Sequence, residues 1–145
     1  MRTALLAIVM LIAAGGCSAQ VALFPRHIEQ ASYPQIALTA LVQGDVTLSV
    51  TIGLDGRVTS AEAVDGPPLL FASAVKNIGA WTFDRPAAAP FVETFVYQFR
   101  IERQPVALGG CEKVVYDVSY DLPNRVTVIA KQWRAPDIDT GASKR

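Results

Sequence analysis

The spacing of apolar residues changes along the chain, and each change predicts a different element. Between residues 46 and 52 apolar side chains occupy every second position, with threonine or serine between them. This alternation predicts a strand with one buried face. Between residues 70 and 78 the apolar residues recur three or four positions apart, which predicts an amphipathic helix. The period of two returns over residues 91–103, where a further strand is predicted.

Asp55-Gly56 separates the first strand from its partner. This dipeptide is typical of a two-residue type I′ hairpin turn, which requires positive φ at both central positions. The resulting register sets large residues opposite smaller ones: Leu48 with Ala63, Val50 with Ala61, and Ile52 with Thr59. The space above the smaller residues is predicted to receive a helix.

Two short helices, packed against the sheet, are predicted on either side of this hairpin in the sequence. The first begins at Tyr33-Pro34, since proline is tolerated at the first helical position, and extends to Gly44. Its apolar face is predicted to contain Ile36, Ala37, Ala40 and Leu41. The second helix begins at Gly66-Pro67-Pro68 and ends near Gly79. Its exposed side is predicted to contain Ser73, Lys76 and Asn77.

An aromatic step follows the second helix. Trp81 and Phe83 are separated by one residue, so both rings point to one side of an extended segment. We expect these rings in the core, beneath the sheet. The strand over residues 91–103 is predicted to bury Phe95, Tyr97, Phe99 and Ile101.

The first 19 residues have the layout of an export signal, with an apolar run over residues 4–14 and small residues around Cys17. The segment Ala-Gly-Gly-Cys that ends at Cys17 resembles the lipobox of bacterial lipoproteins, in which the cysteine is lipidated and becomes the mature N-terminus. Cleavage after Ala19 without lipidation is an alternative. A third alternative is an uncleaved anchor, because residues 4–24 carry no charge. Each alternative predicts an exported chain, either periplasmic or attached to a membrane.

Composition and charge exclude several classes of function. About half of the 145 residues are apolar, which suits one small domain with a core. The formal net charge is zero and the basic residues are scattered, so nucleic acid is not an expected partner. Either cleavage leaves Cys111 without an intrachain partner, and no metal-ligand cluster accompanies it. We therefore predict no disulfide, metal or cofactor.

Catalytic side chains are scarce in the sequence. The chain has one histidine, His27, and no serine or cysteine in a recognisable nucleophile motif. Asp55 is explained by the hairpin turn, and Glu62 and Glu93 lie on predicted strands, where solvated carboxylates are common. We therefore predict no catalytic residues. A small periplasmic hydrolase with paired carboxylates is retained as an alternative.

In combination, these motifs resemble the TonB C-terminal domain family over about residues 33–102. The resemblance rests on Tyr33-Pro34, Ala37, Gly44-Asp45-Val46, Ile52, Asp55-Gly56-Arg57-Val58, the helix around Phe71 and Ala74, Trp81-Thr82-Phe83 and Pro86. It implies an α+β domain with a small three-stranded antiparallel sheet backed by two helices, in the order α-β-β-α-β. The residues expected to define this fold are Tyr33, Pro34, Gly44, Asp55, Gly56, Trp81, Phe83 and Pro86.

The resemblance also implies a function. Domains of this family bind outer-membrane transporters, pair with a short extended peptide from them, and transmit proton-motive energy from the inner membrane. Such pairing adds a strand to a sheet edge, where backbone hydrogen bonds give affinity and alternate side chains give specificity. By position, residues 91–103 would supply that edge, with partner contacts from Thr94, Val96, Gln98, Arg100 and Glu102. The expected partner is a protein or peptide of the cell envelope, such as a TonB-dependent outer-membrane transporter.

Two features depart from the family pattern. In place of the family's long proline-rich spacer there is a short linker, residues 20–32, which spans at most about 45 Å. His27 lies outside the apolar run, so it does not match the histidine of the family's anchor helix. The second departure is an extension after the domain, in which strands over residues 113–121 and 125–131 flank a turn. If this hairpin pairs beside residues 91–103, it covers the expected recognition edge.

The sequence therefore predicts five regions. They are a signal over residues 1–19, a linker over 20–32, a TonB C-terminal-like domain over 33–103, a hairpin extension over 104–134 and a tail over 135–145. The predicted function is that of an exported binding module of the cell envelope that works by strand addition. A true energy transducer that retains its N-terminal anchor is the main alternative.

Overall fold

The structure, a computed structural model, describes residues 23–88, 90–105 and 113–134. Its elements are, in chain order, β1 (Pro25–His27), α1 (Gln35–Thr39), β2 (Gly44–Ile52), β3 (Val58–Asp65), α2 (Pro68–Gly79), β4 (Thr82–Phe83), β5 (Phe91–Pro105), β6 (Lys113–Asp121) and β7 (Arg125–Arg134). The predicted α+β fold class is therefore confirmed. Predictions for Cys17, Cys111, the export signal and the tail concern residues outside the described ranges.

One mixed sheet contains five strands, in the order β3-β2-β5-β7-β6. β2 pairs antiparallel with both β3 and β5, which gives the predicted three-stranded core. The prediction of a three-stranded sheet is nevertheless wrong, because the C-terminal hairpin joins the same sheet. β7 pairs in parallel with β5, and β6 pairs antiparallel with β7. The edge of β5 carries N–H and C=O groups that need partners, and β7 supplies them.

The β2–β3 hairpin follows the predicted register only in part. Two predicted pairs are confirmed, Leu48 with Ala63 and Val50 with Ala61. Near the turn the register shifts, so that Ile52 pairs with Val58, one residue earlier than predicted. The backbone N–H of Gly56 donates to the Gly53 carbonyl oxygen at 2.9 Å. The turn is therefore centred on Leu54-Asp55 and not on Asp55-Gly56.

Gly56 is required for the contact between the hairpin and β4. Its φ of +81° lies in the left-handed region, which glycine adopts without a steric penalty. A Cβ at this position would overlap the carbonyl oxygen of Phe83. The two backbones are bonded here, since the N–H of Phe83 donates to the Gly56 carbonyl oxygen at 2.7 Å. A residue predicted from turn chemistry thus also joins two segments of the domain.

The helix α2 has close to its predicted bounds, whereas α1 is shorter than predicted. On α2, the buried apolar residues are Leu70, Ala74 and Ile78. The helix α1 ends at Thr39, and Leu41 leaves helical geometry with a φ of +57°. The helix buries Ala37 and Leu38, whereas three of the residues predicted on its apolar face, Ile36, Ala40 and Leu41, are exposed.

The core lies between the helices and the facing side of the sheet. Trp81 and Phe83 lie in it, as predicted, and Trp81 is only 1% exposed. The Trp81 ring packs edge-on against Phe95 and Tyr120, with ring centroids 6.1 and 5.7 Å away. β7 contributes three fully buried residues, Val126, Val128 and Ala130. The C-terminal hairpin is therefore part of the core.

Residues 23–32, which were predicted as part of a linker, pack against the domain. Leu23 and Ala31 are buried, and β1 pairs antiparallel with β4 in a separate two-stranded sheet. An ion pair of 2.6 Å between Arg26 and Asp84 joins the same two segments. The packed domain therefore begins before Tyr33, because this lead-in covers β4.

Candidate functional site

The side chains predicted to contact a partner lie on β5 and point away from the helices. They are Thr94, Val96, Gln98, Arg100 and Glu102, which alternate with the buried Phe95, Tyr97 and Phe99. β7 runs beside them, from Val96 opposite Arg125 to Pro105 opposite Arg134. The sequence left open whether the C-terminal hairpin covers this edge, and in the structure β7 occupies the backbone pairing positions over most of it. Only residues 91–95 of β5 extend past β7.

Two of these β5 side chains bind neighbouring strands on the outer face of the sheet. Arg100 Nη2 donates to Asp45 Oδ1 at 2.6 Å, and Thr127 Oγ1 donates to Gln98 Oε1 at 3.3 Å. The ion pair is partly exposed to solvent, where such pairs add little stability. Together the two contacts connect β5 to β2 on one side and to β7 on the other.

An ion pair connects the two strands of the C-terminal hairpin on the same outer face. Lys131 Nζ donates to Asp117 Oδ2 at 3.0 Å, across β7 and β6. This hydrogen bond, with the charges of Asp117 and Glu102, raises the pKa of Lys131 above its ordinary value. Asp117 therefore has a cationic partner within the hairpin.

In the described part of the chain, β3 and β6 form the two edges of the sheet. The pairing of β3 with β2 shifts register at two places. Such bulges twist an edge and hinder its pairing with another chain. β6, in contrast, pairs with β7 in unbroken register from Lys113 to Asp121. Among the strands that the structure describes, none lies beyond β6.

β6 also exposes apolar side chains beside its edge. Val114, Val115 and Tyr116 are 42%, 44% and 37% exposed. A long, regular and partly apolar edge accepts another strand, whereas a protected edge is short or carries bulges, proline or charged side chains. The charge in the middle of β6, Asp117, is already bound by Lys131. The outer edge of β6 is therefore the best candidate in this structure for strand addition.

A buried amide that sequence reasoning missed joins α2 to β5. Asn77, predicted on the exposed side of α2, is only 6% exposed. Its Oδ1 accepts from Trp81 Nε1 at 3.2 Å and from the Tyr97 hydroxyl at 2.8 Å. Its Nδ2 donates to the Glu29 carbonyl oxygen at 2.9 Å. The signal available in the sequence was that Asn77 lies four residues before Trp81, a spacing that brings side chains together on a helix. The other two partners, Tyr97 and Glu29, are distant in sequence.

Alkaline pH is expected to destabilise this domain. Burial raises the pKa of Tyr97 well above its ordinary value of 10.0, and it raises the pKa of Tyr33 to about 12. Above pH 10.0 the unfolded chain therefore loses phenolic protons that the folded chain retains, so the free energy of unfolding falls as pH rises. Urea unfolding on either side of this pH measures the fall. Tyr97→Phe should make it shallower, and an unchanged slope in that variant would contradict the assignment.

The carboxylates considered for hydrolysis lie apart. Asp55 is in the β2–β3 turn, where its Oδ1 accepts from the backbone N–H of Arg57 at 3.1 Å. Glu62 and Glu93 occupy register positions on opposite faces of the sheet. Over residues 23–88, 90–105 and 113–134, no three metal-ligating side chains form a group. Within the same ranges, no helix is long and apolar enough to cross a membrane.

These features define an α+β module that has helices on one face of its sheet and, among the strands that the structure describes, one regular edge strand without a further neighbour. The family described as "Gram-negative bacterial TonB protein C-terminal" matches residues 29–102, about half of the chain. The chain therefore belongs to the TonB C-terminal domain family, as its motifs indicated. The match includes the residues expected to define the fold, from Tyr33 to Pro86, and ends before the β6–β7 hairpin.

Among solved structures, the chain is similar to the solution NMR structure of Pseudomonas aeruginosa TonB CTD. The sequence identity is 20%, the alignment covers 56% of this chain and 88% of that chain, and the TM-score is 0.42. No curated protein matches the sequence.

Proposed function

We propose that this protein is an exported binding module of the bacterial cell envelope. It binds an extended segment of an envelope protein, such as a TonB-dependent outer-membrane transporter, by adding that segment as a strand to its sheet. Membership of the TonB C-terminal domain family supports an envelope location and a protein partner. The observation that carries the proposal is the outer edge of β6, which is regular and flanked by exposed apolar side chains.

Strand addition at β6 extends the sheet by one strand. The N–H and C=O groups on the free side of β6 supply the main-chain hydrogen bonds. Side chains of the added strand lie about 5 Å from their neighbours on β6. These neighbours include Val114 and Tyr116 on the helix side and Val115 on the outer face. Such neighbours favour a partner segment with alternating apolar residues.

The β5 edge is a less favourable site for the same partner. A strand that pairs there must first displace β7, whose Val126, Val128 and Ala130 are fully buried. Exposing these side chains to water costs several kcal/mol, roughly 25 cal/mol for each Å² of apolar surface. Binding at β6 avoids this cost, because no described strand has to leave.

A blocked peptide of alternating valine and threonine is expected to bind the β6 edge. In NMR titrations of the isotope-labelled chain, the peptide should shift backbone amide signals of β6 more than those of β3. Val115→Lys adds a charge beside this edge and is expected to weaken peptide binding about three- to fivefold.

Val64→Lys is the matched control, because Val64 is an exposed valine on the β3 edge strand. This variant should bind the peptide as tightly as the unchanged protein does. Equal weakening by the two lysine variants, or amide shifts confined to β3, would rule out β6 as the binding edge.

Membrane attachment through a lipid on Cys17 belongs to the same proposal and is supported by the lipobox-like sequence before this residue. The mass of the mature N-terminus, measured on the protein from envelope fractions, distinguishes lipidation at Cys17 from cleavage after Ala19. An intact N-terminus that retains residues 4–24 would instead favour the energy-transducer alternative.

A further inference from the structure

A cleft of about 340 Å³ opens between α1 and the strand pair β6–β7. Its walls combine apolar and uncharged polar side chains with one lysine. They are Gln35, Leu38 and Thr39 of α1, Lys113 and Val114 of β6, and Gln132 and Trp133 of β7. The cleft thus begins beside the candidate edge and extends inward over the sheet.

Gln132 is the unusual residue of this cleft. It is 6% exposed and follows Val126, Val128 and Ala130 at alternate, inward-facing positions of β7. Its Oε1 is buried and accepts no hydrogen bond from the residues that the structure describes. Buried amide oxygens nearly always have a donor, so an unpaired one at the wall of a cleft indicates a missing partner.

We infer that this cleft receives a glutamine side chain from the bound strand, with an amide N–H donated to Gln132 Oε1. This inference rests on the proposed strand addition at β6. Val114 lies directly opposite Gln132 and therefore between Gln132 and the added strand. Neighbouring strands are about 4.8 Å apart, so the added strand lies about 10 Å from β7. A side chain as long as that of glutamine is needed to reach across Val114, and asparagine is too short.

The chemistry of the walls selects an uncharged amide. A carboxylate has no N–H to donate and would face the Gln132 oxygen with its own acceptors. An apolar side chain would leave that oxygen unpaired. A cation would find no carboxylate among the described residues that line the cleft, whose one charged residue is Lys113. A primary amide supplies the donor, and its stem can pack against Leu38 and Val114.

Butyramide, which ends in the same group as a glutamine side chain, tests the cleft without a peptide. It is expected to shift the side-chain amide signals of Gln132 in NMR titrations of the purified chain, whereas butyrate is not. Equal shifts with both compounds, or none with butyramide, would overturn the inference even if a peptide still binds at β6. This result therefore separates failure of the cleft from failure of strand addition.

Two blocked peptides that differ only in a central glutamine or leucine test the combined arrangement. The glutamine peptide is expected to bind about fivefold more tightly, as for one neutral hydrogen bond to a buried group. Gln132→Met keeps the length of the side chain but removes the acceptor, so it should abolish this preference while leaving the leucine peptide bound as before.

Gln104→Met is the matched control, because Gln104 is an exposed glutamine opposite Trp133 on β5. The preference for the glutamine peptide should persist in this variant. If both peptides shift the β6 amide signals equally, the inference that the cleft receives a glutamine side chain is wrong, whereas strand addition at β6 is supported. Butyramide binding at Gln132 without β6 shifts from either peptide would overturn strand addition alone.

Discussion

Trp81→Ala is expected to lower the free energy of unfolding by about 3–5 kcal/mol. The ring is 1% exposed and packs against Phe95 and Tyr120, so its removal leaves a cavity between β5, β6 and the start of β4. The substitution also removes one of the hydrogen bonds to Asn77 Oδ1. Urea unfolding followed by circular dichroism measures the loss.

Trp133→Ala provides the comparison within the same protein. Trp133 is half-buried on the outer face of β7, where its ring lies beneath Lys113. This substitution removes the cation–π contact and the partly buried ring, and it should lower the free energy of unfolding by roughly 1 kcal/mol. Comparable losses in the two variants would contradict a core position for Trp81.

Val128→Asp is expected to have a similarly large effect, about 3–5 kcal/mol at neutral pH, because it buries an unpaired charge. Val128 is fully buried on β7, and Ile129, the next residue, lies half-buried on the outer face. Ile129→Asp is therefore the matched control and should cost much less. The penalty in Val128→Asp should shrink at acidic pH, because burial raises the pKa of a carboxyl group and the neutral form is tolerated better.

Hydrogen exchange shows where this destabilisation acts. In Val128→Asp, amides of β6 and β7 should lose protection before those of β2 and β5, because the hairpin is held to β5 along one edge only. Uniform loss of protection across the sheet would contradict separate release of the hairpin.

The same variant compares the two candidate edges. Weaker binding of the valine–threonine peptide supports β6, whereas stronger binding would restore β5 as the recognition edge.

Features that depend on near neighbours in the chain were predictable from the sequence. The alternation in β2 and β5 and the helical period of α2 each arise within a single segment. The turn near Asp55-Gly56 was predicted in the right place but with the wrong centre. The actual turn depends on two hydrogen bonds, one from the Gly53 N–H to the Arg57 carbonyl oxygen and one from the Gly56 N–H to the Gly53 carbonyl oxygen, that residue preferences do not distinguish.

Asn77 and Gln132 show why parts of the candidate site were not predictable. Both are uncharged polar residues at positions where exposure is the usual expectation. Asn77 is buried because Tyr97 and Glu29, which are far away in sequence, supply its hydrogen-bonding partners. Gln132 is buried at an inward-facing position of β7, where it lines a cleft together with residues of α1, and its oxygen accepts from none of the described residues.

The sequence by itself determined the family, the α+β class and the core around Trp81 and Phe83, because these follow from local periodicity and from motifs in a specific order. It also indicated the C-terminal hairpin. Only the tertiary structure decided that β7 pairs in parallel with β5 and that β6 becomes the outer strand. Alternating residues fit a parallel or an antiparallel neighbour equally well, so the choice of open edge depends on how distant segments pack.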